Sequence, residues 1–126
     1  MKEILAIVRL NKMNQTKRAL AEVGLPSITA RDALGRGKGI VDLQLLKGAE
    51  RGYEEAISQL GQSQRLIPKR AILIVVPDEL VGRTVKTIIK VNQTGKSGDG
   101  MIFVTPCLEA VRVRTGERGD AVLDDI

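Results

Sequence analysis

Two runs of sequence, Ile4-Leu5-Ala6-Ile7-Val8 and Ala71-Ile72-Leu73-Ile74-Val75-Val76, are apolar at every position. Side chains of an extended strand alternate between the two faces of its sheet, so a strand with one wet face alternates apolar and polar residues. Neither run alternates. Both are short and rich in β-branched residues, which marks them as strands covered on both faces. Any fold built on these strands must therefore shield both sides of their sheet.

The segments between them limit how that is done. Lys2–Leu10 reads as a first strand. Asn14 reads as the N-cap of a helix to Val23, with Leu20 and Val23 on one face and a stop signal at Gly24 and Pro26. Ser27–Leu34 reads as a second strand and Pro68–Val76 as a third. Pro77-Asp78 opens a second helix towards Gln93, with Val81, Val85, Ile88 and Ile89 at helical spacing. Met101–Thr105 reads as a fourth strand and Ala110–Arg114 as a short fifth. The order predicts an α+β, ferredoxin-like βαββαβ fold, with two helices on one face of a four-stranded antiparallel sheet. Two helices leave the second face open. The same face of a neighbouring copy would close it, so a closed homo-oligomer is expected.

A chain of 126 residues holds one core, taken here as a single domain over 1–126. Its only aromatic residues are Tyr53 and Phe103. That scarcity argues against nucleic acid, whose bases need stacking platforms, although the net charge of +5 favours anionic partners. No histidine is present, which removes the commonest general base and metal ligand. The single cysteine, Cys107, rules out an internal disulfide and a cysteine zinc cluster, and it fits a reducing, cytoplasmic setting. No apolar run approaches the ~20 residues that span a bilayer. The N-terminal apolar stretch is also too short for a signal peptide.

Residues 36–67 exceed the usual loop length without a convincing strand, so they read as a functional, mobile loop. A Rossmann fingerprint beginning at Gly35 fails because position 40 is Ile40. The clearest chemistry lies in Thr94-Gly95-Lys96-Ser97-Gly98-Asp99-Gly100, between a helix and a strand. Its glycines allow backbone N–H groups to converge on an anion. It is not a P-loop, since position 90 is Lys90 where that motif needs glycine. Arg112 and Arg114 alternate with period two, which on a strand would project both guanidinium groups from one face, roughly 7 Å apart. Paired arginines suit a polyphosphate. With Lys38 and the glycine loop they suggest a nucleotide phosphate site. No nucleophile–base pair accompanies them, so the reading is a binding protein with no catalytic residues and no metal ligands.

Thr94–Val104, followed by Arg112-Val113-Arg114-Thr115-Gly116-Glu117, resembles the two signature segments of the PII nitrogen-regulatory signal-transduction family. Ala19–Gly24, Gly48-Ala49-Glu50 and Ile74–Asp78 match as well, so the resemblance spans nearly the whole chain. It implies a trimer with ATP or ADP in each intersubunit cleft, and Mg2+ and 2-oxoglutarate as further effectors. The resemblance places Ile7, Ser27, Ile28, Thr29, Leu73 and Val75 on the adenine side. It places Gly35, Gly37, Lys38, Gly98, Asp99, Gly100, Arg112 and Arg114 on the phosphate side, and Lys69 on the carboxylate of 2-oxoglutarate. The loop of about residues 36–67 would be the effector loop, with Arg51 where many members carry a modified tyrosine and Tyr53 two residues on. Gly39 stands in place of a glutamine at the metal and oxoglutarate site, Met101 replaces a lysine, and an insertion before Lys69 lengthens the loop. These departures, with the basic stretch Arg9–Lys17, resemble the branch encoded beside nitrogenase genes. In that branch paired paralogues bind and inhibit dinitrogenase. The alternative target is an ammonium transporter or a nitrogen-assimilation enzyme.

Overall fold

The computed structural model describes residues 1–37 and 66–124. Lys38, Gly39, Arg51 and Tyr53, with most of the expected effector loop, lie outside the described residues. The elements are β1 (Lys2–Arg9), α1 (Met13–Glu22), β2 (Thr29–Gly35), β3 (Ile67–Val76), α2 (Val81–Asn92) and β4 (Met101–Pro106). The strands form one antiparallel sheet in the order β2-β3-β1-β4. This is the expected ferredoxin-like arrangement, with the two apolar runs as its central pair.

Ile4, Ala6 and Val8 of β1 and Ile72, Ile74 and Val76 of β3 are buried in one core with Leu20, Leu25 and Ile88. Each of the valine, leucine and isoleucine side chains contributes roughly 1.5–3 kcal/mol through removal from water, and Ala6 less. One buried polar link joins the helices. Asn92 Nδ2 donates to Thr16 Oγ1 at 3.0 Å and to the Ile88 carbonyl at 2.9 Å, while Thr16 Oγ1 donates to the Lys12 carbonyl. The helix α1 ends as the sequence implied. Gly24 takes φ +90° and Leu25 N–H reaches back to the Leu20 carbonyl at 2.9 Å, a Schellman-type stop.

Three local expectations are corrected. Asn14 is not an N-cap: a 3₁₀ turn over Leu10–Lys12 runs directly into α1, leaving no extended residue before the helix for a capping side chain. The second strand starts at Thr29, because Pro26 lacks an N–H and the Ser27 N–H is taken by Asp124. The fifth strand is absent. Val111 and Arg118 form an isolated bridge that closes a tight turn, with Gly116 at φ +74° and Arg112 N–H bonded to the Glu117 carbonyl at 2.8 Å. The period-two reading of Arg112 and Arg114 therefore fails, since the chain reverses on itself before a strand face can form.

The face of the sheet away from the helices carries Leu5 between Leu73 and Phe103, and Ile7 between Ala71 and Met101. Met101 is 61% exposed and Phe103 49% exposed. Leu5, Ile7, Leu73 and Val75 are only half-buried, whereas their alternating neighbours in the core have almost no exposure. This apolar surface is the structural ground for association. Light scattering at micromolar concentration should give about three times the 13.7 kDa chain mass. A stable monomer would contradict the reading of this face.

Candidate functional site

The chain leaves α2 at Asn92, and Thr94–Gly100 carries it back to β4. Asp99 organises this loop. Its Oδ2 accepts from Thr94 N–H at 2.7 Å and Gly95 N–H at 2.9 Å; its Oδ1 accepts from Thr94 Oγ1 at 2.5 Å and Arg9 Nη1 at 2.6 Å. These bonds, the Thr94 hydroxyl first, then the Thr94 N–H and the Arg9 guanidinium, hold the Asp99 carboxyl well below the usual carboxylate range. Its folded pKa is depressed. The loop's stabilisation is therefore complete above the ordinary value of 3.8 and is lost progressively as pH falls below it.

Two cations hold the loop from beneath. Arg9 Nη2 donates to the Ser97 carbonyl and Lys69 Nζ donates to the Gly98 carbonyl, each at 3.0 Å. Arg9 and Lys69 are direct partners across the β1–β3 ladder. Like charges at such a pair repel, and the oxygens of the glycine loop offset that repulsion by giving each cation its own acceptors. The sequence reading missed Arg9 as part of this site, placing it only within a basic stretch. Its role becomes visible once the strand register sets it opposite Lys69.

The glycines at 98 and 100 are required by this geometry. Gly98 has φ +95°, and a Cβ there would lie 3.3 Å from Arg9 Nη2. Gly100 has φ +116°, and a Cβ there would overlap the Ile7 carbonyl oxygen. The backbone thus passes directly over β1, which brings Gly98, Asp99, Gly100, Ile7 and Lys69 into one neighbourhood. Gly35 joins that end of the sheet as the partner of Ile67, and Gly37 follows two residues later.

The remaining candidates lie elsewhere. Ser27, Ile28, Thr29, Leu73 and Val75 line a cavity of about 260 Å³ together with Val122, Leu123 and Asp124. Thr29 pairs with Leu73, and Val75 with Glu3, so this cavity sits towards the Lys2 end of β1. The Arg112–Arg114 turn also follows β4 from that end, where Pro106 pairs with Lys2, while Met101 and the glycine loop lie at the Ile7 end. Five residues of strand, roughly 17 Å, separate the two ends. Arg112 Nη1 meets Glu117 Oε1 at 3.1 Å in a partly exposed pair, and Arg114 is exposed. Among the described residues, the candidate residues therefore fall into two groups, with the glycine loop at the Ile7 end set apart from Ser27–Thr29, Leu73, Val75 and the arginines at the Lys2 end. No group of three His, Cys, Asp or Glu residues suited to a metal occurs among the described residues, and no helix there is long and apolar enough to cross a membrane.

The loop's dependence on Gly100 can be measured by thermal unfolding. Gly100→Ala should lose about 1–3 kcal/mol through backbone strain and the Ile7 contact. Gly95→Ala, whose Cβ would enter open space despite φ +84°, should lose less. Equal losses would contradict the close approach at position 100.

A family model described as "Nitrogen regulatory protein P-II" matches residues 1–117. The chain is 46% identical over 123 residues to "Nitrogen fixation nifHD region glnB-like protein 2" of Methanococcus maripaludis, covering 98% of this chain and 100% of that one. A Methanobacterium ivanovii protein of the same description is 48% identical over 126 residues, with the same coverage. Among solved structures, Arabidopsis thaliana PII bound to citrate superposes with a TM-score of 0.73 at 29% identity, over 99% of this chain and 91% of that one. The order of the elements, the glycine loop held over β1 and these full-length similarities agree, and the chain belongs to the nitrogen regulatory protein P-II family.

Proposed function

We propose that this protein is a non-catalytic sensor that binds ATP or ADP, with Mg2+ carried on the phosphates and 2-oxoglutarate as a second effector, and that it regulates nitrogenase by direct binding. The nucleotide lies between neighbouring subunits. One subunit contributes the glycine loop, Ile7, Gly35, Gly37 and Lys38; the next contributes Ser27–Thr29, Leu73, Val75, Arg112 and Arg114. The separation of the described members of these two sets within one chain is what supports a shared cleft.

The observation that carries the regulatory part is the bond from Lys69 Nζ to the Gly98 carbonyl. Lys69 is the proposed contact for the oxoglutarate carboxylate, and Gly98 belongs to the proposed phosphate loop. A carboxylate that draws Lys69 away alters how the loop is held, so each ligand changes the affinity for the other. The loop over residues 36–67 has its roots beside both ligands and carries the contact with the target, with Arg51 and Tyr53 among its residues. The similarity to proteins of nifHD regions favours dinitrogenase as that target, reached as a homotrimer or together with a paralogue in the cytoplasm.

A pull-down with dinitrogenase tests the proposal. Retention should change by tenfold or more between nucleotide-free conditions and ATP plus 2-oxoglutarate. The double variant Arg112→Ala, Arg114→Ala should lose that response, because each charge-assisted contact contributes about 1.5–3 kcal/mol. Deleting residues 40–60 should abolish retention while leaving the assembly intact. Retention that ignores both ligands, or survives the deletion, would contradict the proposal; capture of an ammonium transporter in its place would favour the alternative target.

A further inference from the structure

We infer that the C-terminal tail is a strap closed over the base-side half of the nucleotide cleft, latched by Asp124 on Ser27. This rests on the nucleotide reading proposed above and adds a regulatory element to it. The Asp124 carboxylate accepts twice from one residue: from Ser27 N–H at 2.8 Å and from Ser27 Oγ at 2.9 Å. That N–H lies between Pro26 and the start of β2, so it has no ladder partner, and the tail supplies its acceptor. Val122 and Leu123 are half-buried and line the cavity that the base-side residues Leu73 and Val75 also line.

The path that brings the tail there is built into the backbone. The Val111–Arg118 bridge reverses the chain after β4, and Gly119, at φ +82°, donates to the Ala110 carbonyl at 2.9 Å. A 3₁₀ turn over Gly119–Val122 then delivers Leu123 and Asp124 to the segment before β2. The latch itself is exposed. Exposed hydrogen bonds open at low cost, so the strap samples open states readily while staying mostly closed. A base that enters only the open state binds with an apparent affinity reduced by the fraction open. The strap thus weakens and slows nucleotide binding, and anything that draws Asp124 from Ser27 relieves it.

Titration and stopped-flow mixing with a fluorescent N-methylanthraniloyl ATP test this on the full chain, on Asp124→Ala and on a chain ending at Ala121. Light scattering serves as the check on assembly. Asp124→Ala should bind about threefold to tenfold more tightly, mainly through faster association, as expected for the loss of two exposed hydrogen bonds to a carboxylate. The shortened chain should shift in the same direction. Unchanged or weaker binding by Asp124→Ala, with the parent binding normally, would overturn the strap and make the tail a fixed wall of the site. If neither parent nor variants bind the probe, the nucleotide reading itself fails, and the strap with it.

Discussion

The structure depends on a central strand pair that is apolar on both faces. One face is satisfied within the chain, where Ile4, Ala6, Val8, Ile72, Ile74 and Val76 meet the two helices. The other, with Leu5 flanked by Leu73 and Phe103, is left half-exposed. Burial stabilises by roughly 25 cal/mol per Å² of apolar surface, so leaving this face wet forfeits a contribution comparable to several core side chains. A second copy recovers it. On the proposed assembly, the same association brings the glycine loop of one chain to the base-side residues of the next, so the interface and the ligand cleft share one origin.

Electrostatics sets the second layer. Arg9 and Lys69 stand opposite each other at the Ile7 end of the sheet, an arrangement that would be unfavourable in isolation. The loop between α2 and β4 turns it into an asset by offering Asp99 and two carbonyl oxygens. An anion near this loop therefore meets cations already oriented and partly neutralised, whose acceptors can be exchanged. Arg112 at the far end is held by Glu117 in a partly exposed pair, an interaction of little net strength.

The four strands of the sheet and both helices were legible in the sequence because they follow from runs and spacings of apolar residues, which are local. Gly98 and Gly100 were legible as a loop needing positive φ and close backbone approach for the same kind of reason, since such conformations have few residue solutions. Arg9 was not, because its importance arises from register with Lys69, sixty residues away in sequence. The Arg112–Arg114 segment misled: its alternation fits a strand, but Thr115-Gly116 permits a turn that the Val111–Arg118 bridge closes. Asp124 gave no signal at all, as a terminal acidic residue reads as solvated until the fold places it on Ser27.

On the proposed assembly a complete site needs two chains, and subunit mixing separates this from a site held within one chain. One variant, Asp99→Ala, damages the glycine-loop half; the other, Arg112→Ala with Arg114→Ala, damages the opposite half, and each alone should bind ATP weakly. Co-refolded in equal amounts, they form mixed trimers in which about a quarter of the interfaces pair two undamaged halves, given the cyclic arrangement. Calorimetric titration should then recover tight sites in roughly that proportion. If the mixture binds no better than the two variants measured separately, the site is contained within one chain and the shared cleft is wrong.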